Sequence, residues 1–329
     1  MLHELLNFFI SLDAEQLRYP GFVKTNRQHI EDGYYKVKNG KGWQSKIKYC
    51  PLCNCKEKEI ILTRFNLNYL KCLECGCAYV EKFPVDTSDI YNDDNYDSLA
   101  KAAYLDNSDY RKQRFGIERV ELIKRYCNDS PSSLNLLDIG CGTGWFLESA
   151  IENGFNVSGL ELSKKLAELT AERLKINIFT DPLNKIDKNV KFDVITMFDV
   201  IEHVVNPVEV IESIHDHLNP GGIGLLYTPN LESLAIHYLK EYSGSVIPVH
   251  HMFIFSKISL ERIFRKAGFE LVYFATKGSD IIDMYSHHSQ LDKNKELSKF
   301  LLNNADLIQA IVDKADCGNH MRFVVKKLD

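Results

Sequence analysis

LLDIGCGTG, residues 136–144, completes a short apolar run that starts at Ser133 and leads straight into a helical pattern, Trp145 to Ile151. Strand, glycine turn and helix in that order bring bare backbone against a ligand at a helix N-terminus. Such a loop can hold a dinucleotide pyrophosphate, but the spacing here is GxGxG (Gly140, Gly142, Gly144) instead of GxGxxG. Asp138 closes the strand. The next strand, Phe155 to Glu161, ends in an acid twenty-one residues after Gly140. A carboxylate there can take both hydroxyls of a ribose, whichever nucleoside carries it.

The alternation continues outward. Asn177–Asp181 reads as a third strand and Phe192–Phe198 as a fourth, buried one. Pro207–Leu218 is an amphipathic helix with Val210, Ile211, Ile214 and Leu218 on one face, capped by Asn206 and stopped by Asn219-Pro-Gly-Gly222. Ile223–Thr228 follows as a fifth strand, then a helix from Lys257 to Gly268, a sixth strand at Phe269–Thr276 and a seventh at Met321–Lys327. The order is that of an α/β protein with a largely parallel sheet and a late hairpin.

LLDIGCGTG (136–144), GLELS (159–163) and FDVITMFDVIEHVVNP (192–207) together resemble class I S-adenosylmethionine (SAM)-dependent methyltransferases of the broad ubiquinone-methyltransferase-like group. The resemblance covers about residues 105–329. It implies a Rossmann-like seven-stranded core and a SAM site built from Asp138, Gly140, Cys141, Gly142, Gly144, Glu161, Leu162, Asp181 and Phe198, with Asp181 beside the adenine. Tyr91 and Tyr96, in an acidic, asparagine-rich segment, would belong to a helical lid, with Tyr96 touching the cofactor. At the carboxyl edge of the sheet, His203 is a candidate general base and Glu202 its orienting partner. His251 matches a Glu-His pair that lines the acceptor pocket in related enzymes, while His250 stands where the glutamate would. A divalent ion held by Glu202, His203 and His251 is an alternative use of the same residues, and simple loop anchoring is another.

Nearer the N-terminus, Cys50-Pro-Leu-Cys53 and Cys72-Leu-Glu-Cys75 are two CxxC pairs separated by eighteen residues. Each turn points two thiolates at one ion, and two turns complete a tetrahedron, so the four cysteines predict a structural zinc ribbon with no open coordination position. Glu59–Arg64 and Leu67–Lys71 read as its strands. Cys55 and Cys77 are read as ordinary residues ending each knuckle, and Cys127, Cys141 and Cys317 as small core or loop residues. The expected organisation is an N-terminal extension (1–45), the ribbon (46–85), a lid and linker with a helix (86–130) and the SAM-dependent domain (131–329).

The net charge of −5 and interspersed signs argue against a nucleic-acid substrate, since the basic residues Lys36, Lys38, Lys41, Lys46 and Lys48 read equally well as a solvated linker. No apolar run is long enough for a membrane span. MLHELLNFFI (1–10) lacks the marks of a signal peptide, so a cytoplasmic location is expected. His287 and His288 read as part of a polar loop. The order of ribbon, tyrosine-bearing lid and SAM core is similar to methyltransferases acting on nucleotide-linked sugars and cell-surface glycans. With the chain ending after the seventh strand, O- or N-methylation is expected over C-methylation. A ubiquinone-type O-methyltransferase and a ribosomal-RNA methyltransferase are the rival readings, and a non-catalytic scaffold a third. Phe198-Asp199-Val200 lacks the Asn/Asp-Pro-Pro-aromatic clamp of many base methylators.

Overall fold

A computed structural model of the chain describes residues 22–86, 108–127, 129–291 and 295–328. Tyr91 and Tyr96, the expected lid residues, and the apolar N-terminal decapeptide lie outside them.

Helix α1 (Phe22–Asn39) precedes the cysteine-rich unit, whose strands are β1 (Lys58–Arg64), β2 (Leu67–Cys72) and β3 (Ala78–Val80). The β1–β2 hairpin turns on Phe65 and Asn66, both left-handed (φ 53° and 56°), the conformation that suits a two-residue turn between twisted strands. Tyr34 of α1 stacks on the Phe65 ring at 5.3 Å, which helps hold a residue type that rarely adopts positive φ.

A turn of helix at Ser108–Arg111 and a π-turn at Lys112–Gly116 run into α2 (Ile117–Tyr126). Then come β4 (Asn135–Ile139), α3 (Trp145–Glu152), β5 (Asn156–Leu160), α4 (Lys164–Leu174), β6 (Ile178–Phe179) and β7 (Phe192–Phe198). They are followed by α5 (Pro207–His217), β8 (Leu218–Pro229), α6 (Leu234–Leu239), β9 (Phe253–Ile254), α7 (Lys257–Lys266) and β10 (Phe269–Lys277). The last elements are α8 (Asp280–Leu291), α9 (Lys295–Asn303), α10 (Ala305–Lys314) and β11 (His320–Lys327).

The expected seven-stranded sheet is present, in the order β10-β11-β8-β7-β4-β5-β6. From β8 to β6 every pairing is parallel, and β11 runs antiparallel between β8 and β10. β4 is flanked by β5 on one side and β7 on the other, so the chain direction of travel reverses there and opens a crevice at the carboxyl ends of these strands. Local chemistry marks the helix starts. Asn206 caps α5 by accepting from the Glu209 amide, with Pro207 at the first position, and Ser256 and Ser259 form a reciprocal capping box on α7. The third strand is shorter than expected: β6 has two residues, because on the sheet edge only Gly159, Leu160 and their neighbours pair with it. His287 and His288 sit in helix α8 instead of a loop, with Nε2 of His288 2.8 Å from the Tyr238 hydroxyl.

Strand alternation sends β4 side chains to both faces. Leu136 packs with Val120, Ile123, Phe146 and Leu147 of α2 and α3, whereas Leu137 and Ile139 pack with Ile211, Ile214, Leu260 and Phe264 of α5 and α7. The second of these cores is continuous with the cysteine-rich unit, because β9 pairs with β3 and makes a four-stranded sheet β1-β2-β3-β9. Phe253 of β9 is fully buried between Phe83 and Phe255. No helix among the described residues is long and apolar enough to cross a membrane. Phe253→Ala should destabilise the chain by about 3–5 kcal/mol, read as a lower urea midpoint; an unchanged midpoint would mean that this junction contributes nothing to the core.

Candidate functional site

The two cysteine knuckles are built alike. CPLCNC and CLECGC each place a left-handed residue after the second cysteine, Asn54 (φ 62°) and Gly76 (φ 74°). In each, the first cysteine's amide donates to the carbonyl of the sixth residue: Cys50 to Cys55 at 2.8 Å and Cys72 to Cys77 at 2.9 Å. Cys55 and Cys77 therefore close the knuckles through backbone, and the group of mutually close sulfurs is that of the other four. Sγ of Cys50 lies 3.6 Å from that of Cys75, and Cys53 3.5 Å from Cys72. All four sulfurs lie within 4.8 Å of one another. Zn–S bonds of about 2.3 Å give a tetrahedron with edges of about 3.8 Å, so Cys50, Cys53, Cys72 and Cys75 fit a zinc ion and leave it no fifth position.

At the carboxyl end of β4, Gly140, Gly142 and Gly144 all have left-handed backbone (φ 70°, 52° and 75°). A side chain at Gly140 would strike Val200, while the space in front of Gly142 is open within 4 Å. That opening is where a ligand can approach bare backbone. Glu161, at the end of β5, grips the loop: one carboxylate oxygen accepts from the Gly142 amide at 2.9 Å and the other from the Ser163 amide at 2.8 Å. Helix α4 holds the loop from behind, with Thr170 donating to the Gly142 carbonyl and Arg173 to that of Thr143, each at 2.8 Å. Asp138 is buried beneath the loop and accepts from Thr196 at 2.7 Å. Burial pushes its carboxyl up to about 7, against the Thr196 hydrogen bond and the nearby Arg119 cation. Cys141 is buried, whereas Leu162 and Asp181 are exposed beyond the ends of β5 and β6, on the side of the crevice away from β7.

β7 delivers the other half of the crevice. Phe198 stacks edge-on against Phe146 and Tyr227, and the guanidinium of Arg119 lies 3.7 Å from the centre of the Phe198 ring. Arg119, buried on α2 and also near Trp145, has no hydrogen-bond partner at Nε. After β7, Asp199 takes a left-handed turn and pairs with His320 at 3.4 Å, and a short 3₁₀ turn carries Glu202 and His203. Glu202 is fully buried: Oε2 accepts from Thr228 at 3.0 Å, while Oε1 has no hydrogen-bond partner and lies 3.8 Å from Nε2 of His203. Burial, with the charge of Asp199, raises the Glu202 carboxyl well above the usual range.

The structure brings His203 and His251 together, ring centroids 4.8 Å apart. Nδ1 of His203 faces the His250 carbonyl and Nδ1 of His251 the Ser245 carbonyl, both at 2.9 Å. A carbonyl only accepts, so each Nδ1 carries the hydrogen and each Nε2 the lone pair. Burial lowers the His203 pKa to about 4; burial and then the neighbouring His203 lower that of His251 to about 3. Both rings are therefore neutral at pH 7. The His250 ring turns away: a β-carbon at Gly33 of α1 would lie 3.0 Å from its Nε2, so this residue serves the site through its carbonyl. One potential ligand atom from each of Glu202, His203 and His251 lies within 4.8 Å of the other two, and for His203 and Glu202 the atoms facing each other are Nε2 and Oε1. Sequence reasoning missed Arg119, Thr170, Arg173 and Thr196. Thr196 sits within the 192–207 motif as one more strand residue, while Arg119, Thr170 and Arg173 belong to no motif, and only packing reveals all four.

Three outcomes are expected. The full chain should hold one zinc per chain, lost when Cys50 and Cys72 are both replaced by serine; metal analysis finding the same content in the variant would reject the four-cysteine set. Glu161→Ala should weaken SAM binding by about 1–3 kcal/mol in calorimetry, since the Gly142 and Ser163 amides that shape the loop lose their acceptor; unchanged affinity would reject the clamp as part of the cofactor site. The histidines bind protons more readily unfolded than folded, so their stabilising contribution is complete above about 6.5 and lost as pH falls toward 4 and 3. Urea midpoints between pH 7 and pH 4 should fall less steeply in a His203→Gln, His251→Gln double variant, and parallel curves would contradict their burial as neutral groups.

A family model described as a methyltransferase domain matches residues 110–273. Among curated relatives, the ubiquinone biosynthesis O-methyltransferase of Rickettsia typhi is 34% identical over 116 residues, which is 34% of this chain and 47% of that protein. The chain thus spans about half the length of this relative. The enzyme of the same name from Rickettsia canadensis is 30% identical over 193 residues, covering 55% of this chain and 80% of that protein. A chain in the solved complex between the Haloferax volcanii Trm112 methyltransferase activator and a methyltransferase superposes with a TM-score of 0.50 at 13% identity, covering 71% of this chain and 97% of that one; it attests the fold alone. With the glycine loop, its acidic clamp and the strand order of the sheet, these matches mean that the chain belongs to the class I SAM-dependent methyltransferases.

Proposed function

We propose that this chain transfers a methyl group from SAM to a hydroxyl oxygen of a small-molecule acceptor, as a ubiquinone-type O-methyltransferase. The observation that carries this reading is the placement, along one sheet edge, of the Glu161-clamped glycine loop and the neutral His203–His251 pair. The Rickettsia relatives named for ubiquinone biosynthesis weigh toward it and away from the nucleotide-sugar or glycan acceptor expected from the sequence. The net charge of −5 weighs against RNA.

SAM supplies a methyl group already bonded to a good leaving group, so the chain is left to bind, align and handle one proton. Glu161, which holds the loop through the Gly142 and Ser163 amides, receives the ribose hydroxyls. Leu162 and Asp181 lie where the adenine would extend past β5 and β6. Asp138, Phe198 and the glycine loop line the methionine side, where the buried guanidinium of Arg119 offers a partner for its carboxylate. His203 or His251 takes the proton of the acceptor hydroxyl at Nε2. Zinc on the four cysteines plays a structural part, since it offers no open position. Glu202, His203 and His251 admit a second reading as ligands of a divalent cation, favoured by the buried Oε1 of Glu202 that has no hydrogen-bond partner.

Methyl-labelled SAM offered with hydroxylated quinone precursors, nucleotide-linked sugars and RNA should label the first; labelled sugar or RNA would replace the acceptor assignment. With that acceptor in hand, alanine at the true base should reduce turnover about 10²–10⁴-fold with SAM affinity intact. The acid limb of the rate profile should lie near pH 4 instead of 6.5, because partial burial keeps the base neutral. Wild-type turnover in both alanine variants would leave alignment as the whole of the catalysis, and chelator-sensitive turnover abolished by Glu202→Gln would select the cation reading.

A further inference from the structure

The cysteine-rich unit is joined to the segment that carries His251 by a set of specific bonds. Arg64 of β1 donates to the carbonyls of Val246 at 2.6 Å and Ser243 at 3.4 Å. The hydroxyl of Tyr69, a fully buried residue of β2, donates to the carbonyl of His251 itself at 2.7 Å. The Val80 amide donates to the Met252 carbonyl at 3.0 Å, and β3 continues this pairing onto Phe253 and Ile254. Within the segment, the His250 and His251 amides both bond the Ile247 carbonyl, and the His251 ring donates to Ser245. On its far side the segment meets the 3₁₀ turn after β7, through the bond from His203 to the His250 carbonyl. The segment is therefore a saddle, with the ribbon beneath it and the His203 turn against it.

From this geometry we infer that the ribbon is a positioning element for the acceptor side of the site, and that Tyr69 is a positioning residue for His251. The path is short. Cys72 ends β2 three residues after Tyr69, and Cys75 and Cys77 lead directly into β3, which holds β9 and Met252. Metal on the four cysteines fixes β2 and β3 relative to each other, and these strands fix the segment. A ribbon that recognised a separate macromolecule would need no such bonds. The inference rests on His251 belonging to the acceptor side, as proposed above.

The test uses the full chain in four forms: zinc-loaded wild type, wild type stripped by a chelator, zinc-loaded Tyr69→Phe, and zinc-loaded Arg64→Gln, which keeps the buried ring. Hydrogen exchange is followed by mass spectrometry, and the His251 ring is followed by long-range proton–nitrogen NMR at pH 7. Stripping should speed exchange over residues 243–254 along with 46–80, leaving β4, β5 and β7 protected. Tyr69→Phe should keep its zinc, speed exchange over 249–252 about tenfold, the effect of losing one hydrogen bond, and shift the His251 Nδ1 resonance. Arg64→Gln should act on 243–247 in the same way. Faster exchange confined to 46–80 after stripping, or an unmoved His251 resonance in both variants, would overturn the inference. If the resonance moves but His251→Ala turns over normally, the positioning stands and the assignment of His251 to catalysis falls.

Discussion

Two hydrogen bonds to one carboxylate organise the crevice. Glu161 takes the Gly142 amide on one oxygen and the Ser163 amide on the other, so the loop after β4 is tied to the loop after β5. Three successive glycine positions with left-handed backbone would be a floppy segment without that clamp. With it, and with Thr170 and Arg173 of α4 holding two loop carbonyls, bare backbone is presented to a ligand in a fixed shape. The position of the clamp follows from topology. β4 has β5 on one side and β7 on the other, so whatever binds the loop has the residues after β7 as its other wall.

That second wall is set by burial. Glu202 is fully buried and His203 and His251 partly so, which favours the neutral form of each, and the two backbone carbonyls facing the ring Nδ1 atoms decide which nitrogen keeps a lone pair. A neutral imidazole with an outward lone pair suits a proton acceptor and equally a metal ligand. Both uses need the rings held still. The carbonyls that hold them, those of Ser245 and His250, lie in a segment with little regular structure, which depends on the ribbon sheet for its own bonds.

Much of this could be read before any coordinates. LLDIGCGTG, the acid at 161 and the two CxxC pairs each depend on residues close together in the chain, and such local patterns leave a signature. Most strands and helices of the core fall close to their expected bounds for the same reason, but β6 is shorter than expected and β8 begins at Leu218, so that Asn219–Gly222 lies within a strand instead of stopping the helix before it. What was hidden depends on distance. Nothing about Tyr69 or Arg64 announces a partner more than 170 positions away, and β9 has only two residues, too few for any periodicity. Arg119 is one of three basic residues in an amphipathic helix, where a solvated position is the ordinary reading, and only the aromatic rings around it show otherwise. Asp280–Leu291, Lys295–Asn303 and Ala305–Lys314 form helices α8 to α10, and Asp280 accepts from Ala235, Gln309 and Asn319. His287 and His288 were misread as a loop because their polarity outweighed a weak helical pattern.

The most direct check of the central claim is a pair of calorimetric titrations of the full zinc-loaded chain, one with SAM and one with NAD. The glycine loop and the clamping acid are features that both cofactors can use, so the comparison separates the two at the site itself. One SAM bound per chain, and no binding heat with NAD, is the expected result. Saturable binding of NAD with none of SAM would contradict the account.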